Sequence, residues 1–193
     1  MKTVDAPARS EPLLKLNLGS GKTRLPGYLH VDNNPHAGEV GIVHDLDRRP
    51  WPFEDGSVGE VIMDHVLEHL EDTIGTIEEL HRICAHNAVL EIRVPHFSCN
   101  WTHPGHKRAI GVGLFDHFDP AQDEHYGNCR FFVEKVRLHW MRPRYQTTWV
   151  RRAVSGIIDL LANIRPRITQ RIGCYWVGGF DEIEFQVRII KKL

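Results

Sequence analysis

Three kinds of residue in this chain have the type and spacing to do chemistry. Two glycines close the run Lys15-Leu16-Asn17-Leu18-Gly19-Ser20-Gly21, and two aspartates, Asp32 and Asp45, follow the apolar runs Tyr28-Leu29-His30-Val31 and Val40-Gly41-Ile42-Val43-His44. Absent side chains let a ligand approach the backbone, and a carboxylate ending a parallel strand can accept both hydroxyls of a ribose. The third kind is histidine, crowded into Pro95-His96-Phe97-Ser98-Cys99-Asn100-Trp101-Thr102-His103-Pro104-Gly105-His106-Lys107-Arg108 and continuing through His117 and His125. Histidine exchanges protons near neutral pH and binds metals. Together these residues point to a nucleoside pocket facing a histidine-rich loop.

Spacing narrows the nucleoside. A dinucleotide fingerprint needs G-x-G-x-x-G and an acid roughly 20 residues on, whereas Arg24 stands at the third glycine position and Asp32 comes too early. The phosphate-binding loop also fails: Gly21-Lys22-Thr23 supplies its end, but Leu16 occupies the place of its first glycine. A nucleoside without a phosphate chain remains.

The elements that position these groups are legible from apolar periodicity. Short strands are expected at Lys15–Leu18, Tyr28–Asp32, Val40–Val43 and Val58–Met63, and longer ones at Asn87–Pro95, Phe131–Trp140 and Glu182–Ile190. Leu67, Leu70, Ile74, Ile77, Leu80 and Ile83 recur at helical spacing and predict a helix over Leu67–Cys84. A second apolar stripe, Val150, Val154, Ile157, Ile158, Leu161 and Ile164, stops at Pro166 and is expected to pack in the core. The arginines around it would also suit an anionic membrane surface, an alternative partner for that helix.

At this point the chain resembles the class I S-adenosylmethionine-dependent methyltransferases, small members with a V-L-E-H-L motif in particular. Four segments carry the resemblance, in order: the strand running into Gly19-Ser20-Gly21; the acid Asp32; Asp45-Leu46 after the third strand; and Asp64-His65-Val66-Leu67-Glu68-His69-Leu70 after the fourth, preceded by Pro50-Trp51-Pro52-Phe53-Glu54-Asp55-Gly56-Ser57. The resemblance covers about Lys15 to Pro95. It implies an α/β, Rossmann-like methyltransferase fold with a mainly parallel seven-stranded sheet and an antiparallel last strand. It also implies S-adenosyl-L-methionine as cofactor, with Asn17, Gly19, Ser20, Gly21, Asp32, Asp45, Leu46 and His65 as the cofactor-binding set. Asp32 would take the ribose, and Asp45 and Leu46 the adenine. His69 reads as a helix N-terminal histidine packed over the cofactor or solvated.

One departure from the family is visible. The links from Gly21 to Leu29 and from Asp32 to Val40 are shorter than the dozen or more residues a helical crossover takes, so the first two crossover helices are expected to be reduced. One sheet face would then need shielding by the leader, the C-terminal helix or a second subunit, which puts a homodimer among the expectations.

Residues 95–130 read as an inserted substrate loop, because so long an irregular span is unusual for a connector. His96 and His106 are the candidate catalytic residues. Methyl transfer from a sulfonium is an in-line displacement, and an alcohol or amine acceptor must also lose a proton. His103 and His106 with Cys99, Asp116, His117 and His125 permit a metal reading. Pro104-Gly105 denies the pair a helical face, however, and no metal site is expected. Histidines that merely bond the loop backbone are a third reading.

Composition sets the outer bounds. The 193 residues suit one domain, residues 15–193, after a polar leader at residues 1–14. No apolar run approaches the ~18 residues that span a bilayer, the leader lacks a signal-peptide core, and four scattered cysteines form no C-x-x-C pair. A cytoplasmic location is expected. The net charge is −1, but acids dominate from Asp32 to Glu79 and arginines from Arg130 to Arg171, and the two halves are expected to attract each other. The expected function is methyl transfer to an oxygen or nitrogen of a small molecule, a sugar or glycan precursor among the candidates. A non-catalytic binding or regulatory protein on the same fold is the alternative. Nucleic acid is not expected as a partner, because Asp64-His65-Val66-Leu67 replaces the N/D-P-P-Y/F segment of base-amine methylation.

Overall fold

Strands β1 (Leu14–Leu18), β2 (Leu29–Asp32), β3 (Ile42–Val43), β4 (Val58–Asp64), β5 (Cys84–Pro95), β6 (Arg130–His139) and β7 (Glu182–Ile190) form one sheet. Their order is β3-β2-β1-β4-β5-β7-β6. The first five pair in parallel, while β7 runs antiparallel to both β5 and β6. The computed structural model describes residues 12–36, 38, 40–99, 103–118, 125–127 and 129–191. Most of the expected leader and parts of the expected substrate loop lie outside these residues.

Cross-strand rows explain why this sequence makes this sheet. Leu16, Val61, Leu90, Val187 and Val133 lie side by side, as do Leu18, Met63, Ile92, Phe185 and Val136. Most of these side chains are fully buried. The intervening row is Asn17, Ile62, Glu91, Gln186 and Lys135, and the next is Asp64, Arg93, Glu184 and Arg137. Parallel strands covered on both faces read as continuous apolar runs, whereas strict alternation belongs to a sheet with one wet face. Here the parallel strands alternate too.

The missing cover is the reason. No helix occurs among the described residues between β1 and β2 or between β2 and β3, as the short links predict. The β3–β4 link also lacks one, and buries Leu46, Trp51 and Phe53 instead. Helix α1 (Thr73–Ile83) packs Ile77, Leu80 and Ile83 into the core. It begins later than its apolar spacing predicts. Leu67–His69 is a separate 3₁₀ turn, Leu70 is extended, and Asp72 caps α1 by accepting from the Gly75 N–H. The apolar face continues under Ile110, Val112, Phe115 and Phe118. Phe115 lies 5.3 Å from both Phe131 and Phe185. This half of the expected substrate loop is therefore core.

Helix α2 (Trp149–Ala162) corrects a second expectation. Its buried residues are Ser155 and Ala162, while Trp149, Ile157, Leu160, Leu161 and Ile164 just beyond its end are exposed. Polar groups face the sheet: the Asn163 amide donates to the Leu138 carbonyl and accepts from its N–H, both at 2.8 Å, and Asp159 accepts from the Trp140 N–H at 2.7 Å. They occupy backbone groups on the otherwise open edge of β6. Except for Ile158, which packs against the core, the apolar stripe thus points away from it. The acids of the first half bind Lys15, Arg49, Arg82 and Lys107, while Arg167 binds Asp116.

Phe115→Ala should cost about 3–5 kcal/mol, the usual range for emptying a core aromatic site. Leu160→Ala should stay within about 0.5 kcal/mol, as surface substitutions do. Urea unfolding of both variants checks the assignment of core and surface.

Candidate functional site

The cleft lies where the first four strands end. Gly19, Asp32, Asn33, Asp45, Leu46 and Asp47 line one side, and His65, Val66, His69 and Leu70 the other, around a cavity of about 250 Å³. Gly19 takes φ +63°, and a Cβ there would stand 2.4 Å from Val66 Cγ2, so only glycine lets the turn pack against the β4 end. Gly21 has φ +49° and donates its N–H to Asp32 Oδ2 at 2.7 Å. Asp32 Oδ1 accepts from the Asn34 N–H at 2.9 Å. The carboxylate therefore ties the glycine turn to the β2 end. Each oxygen keeps a lone pair for another donor.

Five of the eight expected cofactor residues, Gly19, Asp32, Asp45, Leu46 and His65, come together in this cavity. Asn17 and Ser20 face another way. With Gly19, Thr23, Leu25, Asp64 and Arg93 they line a second cavity of about 350 Å³. Asn17 is buried and contacts the Thr23 carbonyl at 3.5 Å and His30 Nδ1 at 3.4 Å, bracing the turn from beneath. Ser20 Oγ is buried without a partner. The 250 Å³ cavity is smaller than the ~300–1,000 Å³ of complete small-molecule sites.

His65 is more heavily engaged than its place in the sequence suggests. It takes φ +56° just after β4. Its ring donates from Nε2 to Glu182 Oε2 at 2.8 Å and from Nδ1 to Glu68 Oε1 at 3.1 Å, with Asp64 3.9 Å away. Burial by itself would lower its pKa, but the two carboxylates outweigh burial and raise it to about 9. The imidazolium is thus a fixed cation that donates and does not accept. Glu68 and Glu182, which hold His65, are residues of the candidate site that the sequence reading passed over. Glu182 is 117 positions away from His65, and no spacing rule joins them.

The two candidate catalytic histidines fare differently. His96 is fully buried and packs beside Phe97 and Phe180. Its Nδ1 accepts from the Ser98 hydroxyl at 2.6 Å and from the Ser98 N–H at 3.2 Å, and burial pushes its pKa down to about 4. An imidazole sealed in this way touches no acceptor. His106 is half-buried in a turn held against the Leu67–His69 segment, where Lys107 N–H donates to the Glu68 carbonyl at 2.7 Å. Its ring stacks on His103 at 4.4 Å and meets His69 edge-on at 4.9 Å. The loop thus brings two imidazoles up to His69, which lines the cleft.

No protein-family model matches the sequence, and no curated protein matches it. Solved structures do. An S-adenosylmethionine-dependent methyltransferase from Mesorhizobium loti superposes with a TM-score of 0.57 at 13% identity, over 91% of this chain and 90% of that one. The chain has the class I methyltransferase fold. A methyltransferase from Archaeoglobus fulgidus gives 0.52 at 15% identity, over 92% and 86%. The [4+2]-cyclase SpnF gives 0.58 at 12% identity, over 93% and 75%. On the methyltransferase fold the cleft described above occupies the carboxyl edge of the strands, where open α/β sheets bind ligands.

Two measurements test this site. Asp32→Ala should weaken S-adenosylhomocysteine binding by ~10- to 200-fold, the loss of charge-assisted hydrogen bonds of about 1.5–3 kcal/mol, as read by calorimetry. For His65 the folded pKa lies above the unfolded value, so its contribution is complete below pH ~6.5 and is lost as pH rises through about 9. Unfolding free energies from urea titrations at pH 6 and pH 9.5 should therefore differ more in the wild type than in His65→Gln, by on the order of 2 kcal/mol.

Proposed function

We propose that this protein transfers a methyl group from S-adenosyl-L-methionine to an oxygen or nitrogen of a small molecule. The observation that carries the reading is the convergence of Gly19, Asp32, Asp45, Leu46 and His65 on one cavity at the strand ends of the methyltransferase fold. Asp32 would accept the ribose hydroxyls, and Asp45 and Leu46 would hold the adenine. Around His65 stand Glu68, Glu182 and Asp64, and their negative balance suits a cofactor whose reactive centre is a sulfonium cation.

His69, His103 and His106 form the acceptor side. They stand at the mouth of the cleft, while His96 serves the structure by anchoring the Ser98 turn against Phe180, whose N–H donates to Ser98 Oγ at 3.0 Å. A sugar or glycan precursor, rich in hydroxyls, fits an acceptor side made of imidazoles and Lys107. In the reaction the acceptor lone pair forms the new bond to the methyl carbon, the carbon–sulfur bond breaks with its electron pair staying on sulfur, and the acceptor loses a proton.

A second reading is a binding or regulatory protein on the same fold, without catalysis. The sealed His96 and the missing helix between β1 and β2 favour it. Transfer of a labelled methyl group to a panel of sugars, amines and alcohols decides between them. Catalysis predicts incorporation with at least one acceptor, and a ~100- to 10,000-fold loss of turnover in His106→Ala with cofactor affinity retained. Tight cofactor binding without incorporation supports the second reading, and no cofactor binding removes both.

A further inference from the structure

We infer that Glu68, His69 and His106 form a site for a divalent first-row transition-metal ion at the mouth of the cleft. One ligand atom from each lies within 4.8 Å of the other two. Two imidazole nitrogens and one carboxylate oxygen are a donor set for zinc, iron(II), manganese or cobalt, not the all-oxygen shell that magnesium and calcium take.

Independent details point the same way. His69 Nδ1 lies 2.9 Å from the Gly105 carbonyl, which can only accept, so the proton is on Nδ1 and the Nε2 lone pair remains for coordination. A metal-binding histidine is held in this manner by a backbone carbonyl on its other nitrogen. His69 Nε2 stands 4.0 Å from Glu68 Oε1. Zinc–nitrogen bonds of about 2.0–2.1 Å put tetrahedral ligands roughly 3.4 Å apart, so a small contraction closes the site. Glu68 is 1% exposed, and its Oε2 is buried without a partner. The sequence argument against a metal assumed that the ligands share a helical face. They come instead from two segments that the Lys107–Glu68 backbone bond holds together. Gly105 permits the approach, since a Cβ there would press on both His69 and His103 at 3.3 Å. The neighbouring cluster of Asp64, His65 and Glu182 is a poorer site, because both His65 nitrogens already donate to carboxylates.

This inference rests on the proposed methyl transfer for its role. His69 also lines the cleft, so an ion there stands beside the bound cofactor. An acceptor hydroxyl that takes an open coordination position is acidified, gives its proton to solvent, and attacks the methyl carbon as the carbon–sulfur bond breaks. His106 then acts as a ligand and not as a base.

The test is calorimetric titration of chelator-treated protein with Zn²⁺, together with the visible absorption of the Co²⁺ form. One ion per chain is expected, with affinity falling at least ~10- to 100-fold in each of His69→Ala, His106→Ala and Glu68→Gln. Unchanged melting temperatures of metal-free His69→Ala and His106→Ala separate ligand loss from unfolding, while Glu68→Gln also loses its pair with His65 and is read only against them. No binding by the wild type, or binding that survives all three substitutions and is lost in Glu182→Gln, overturns the site. S-adenosylhomocysteine affinity measured on the same samples keeps failure of the metal site distinct from failure of the methyltransferase reading.

A separate observation carries a second inference. Helix α2 turns its polar side to the sheet, and Leu160, Leu161 and Ile164 are 70%, 61% and 67% exposed. Beyond it Tyr175 and Trp176 are 71% and 82% exposed, and Trp149 at the start of α2 is 80% exposed. Arg144, Arg151, Arg152, Arg165 and Arg171 are exposed around this apolar strip. We propose that it docks on an anionic lipid surface. Apolar residues with tryptophans and an arginine fringe are the composition of helices that lie in a membrane interface. A second copy fits less well, because a two-fold pairing sets one arginine fringe against the other. No helix among the described residues is long and apolar enough to cross a bilayer, so the contact is superficial.

Co-sedimentation with vesicles of phosphatidylcholine alone, and with phosphatidylserine added, tests this. At least ~10-fold stronger binding to the anionic vesicles is expected, weakened by salt and lost in Leu160→Glu/Ile164→Glu, whose melting temperature should not fall. Equal sedimentation of wild type and variant, or a wild-type dimer in analytical ultracentrifugation that the variant abolishes, overturns the proposal.

Discussion

A sheet with only one dry face is the constraint on which this molecule depends. Once the first two links are too short to carry helices and the third carries none, the uncovered face must meet water, and the strands have to alternate. The apolar row Leu18, Met63, Ile92, Phe185 and the polar row Asp64, Arg93, Glu184, Arg137 are two sides of that one requirement. Alternation also fixes register, because a slip of one residue would turn the whole apolar row to solvent. The wet face is stitched by ion pairs such as Lys15–Glu60 and Lys135–Glu184 at 2.7 and 2.8 Å, which add little stability individually but leave few unpaired charges on the face.

The cleft survives this economy because its contacts come from strand ends. The Asp32 carboxylate holds the Gly21 turn and the Asn34 turn together by accepting two backbone hydrogen bonds. The opposite wall depends on Glu68. Its carboxylate receives the His65 imidazolium, and its carbonyl receives Lys107 from the histidine loop. One buried residue thereby couples the β4 end, the 3₁₀ turn and the acceptor side. The carboxylates hold the His65 imidazolium, whose pKa they raise to about 9, so these bonds weaken as pH rises through that value.

The edge of the sheet is handled with equal economy. Asn163 and Asp159 bond the backbone of β6 as a neighbouring strand would. Polar side chains are needed for that task, so the helix must turn its polar side inward and its apolar side out. The inversion follows from protecting an edge strand.

Much of the fold was legible in the chain alone, because periodicity and strand-end chemistry are local. The seven strands, the reduced crossovers, the glycine turn and the acids Asp32 and Asp45 all follow from residues adjacent in sequence. Only the tertiary structure decided which side of a pattern faces the core. The stripe on α2 obeys helical spacing as well as that of α1, yet periodicity specifies a face without specifying what the face meets. For the same reason His96 and His106 looked alike as neighbours in one loop, until packing sealed the first behind Phe97 and Phe180 and carried the second to the cleft. The Glu182–His65 bond lies furthest from sequence reasoning, since it exists only because β7 returns antiparallel to the end of β5 and delivers a carboxylate from a distant segment.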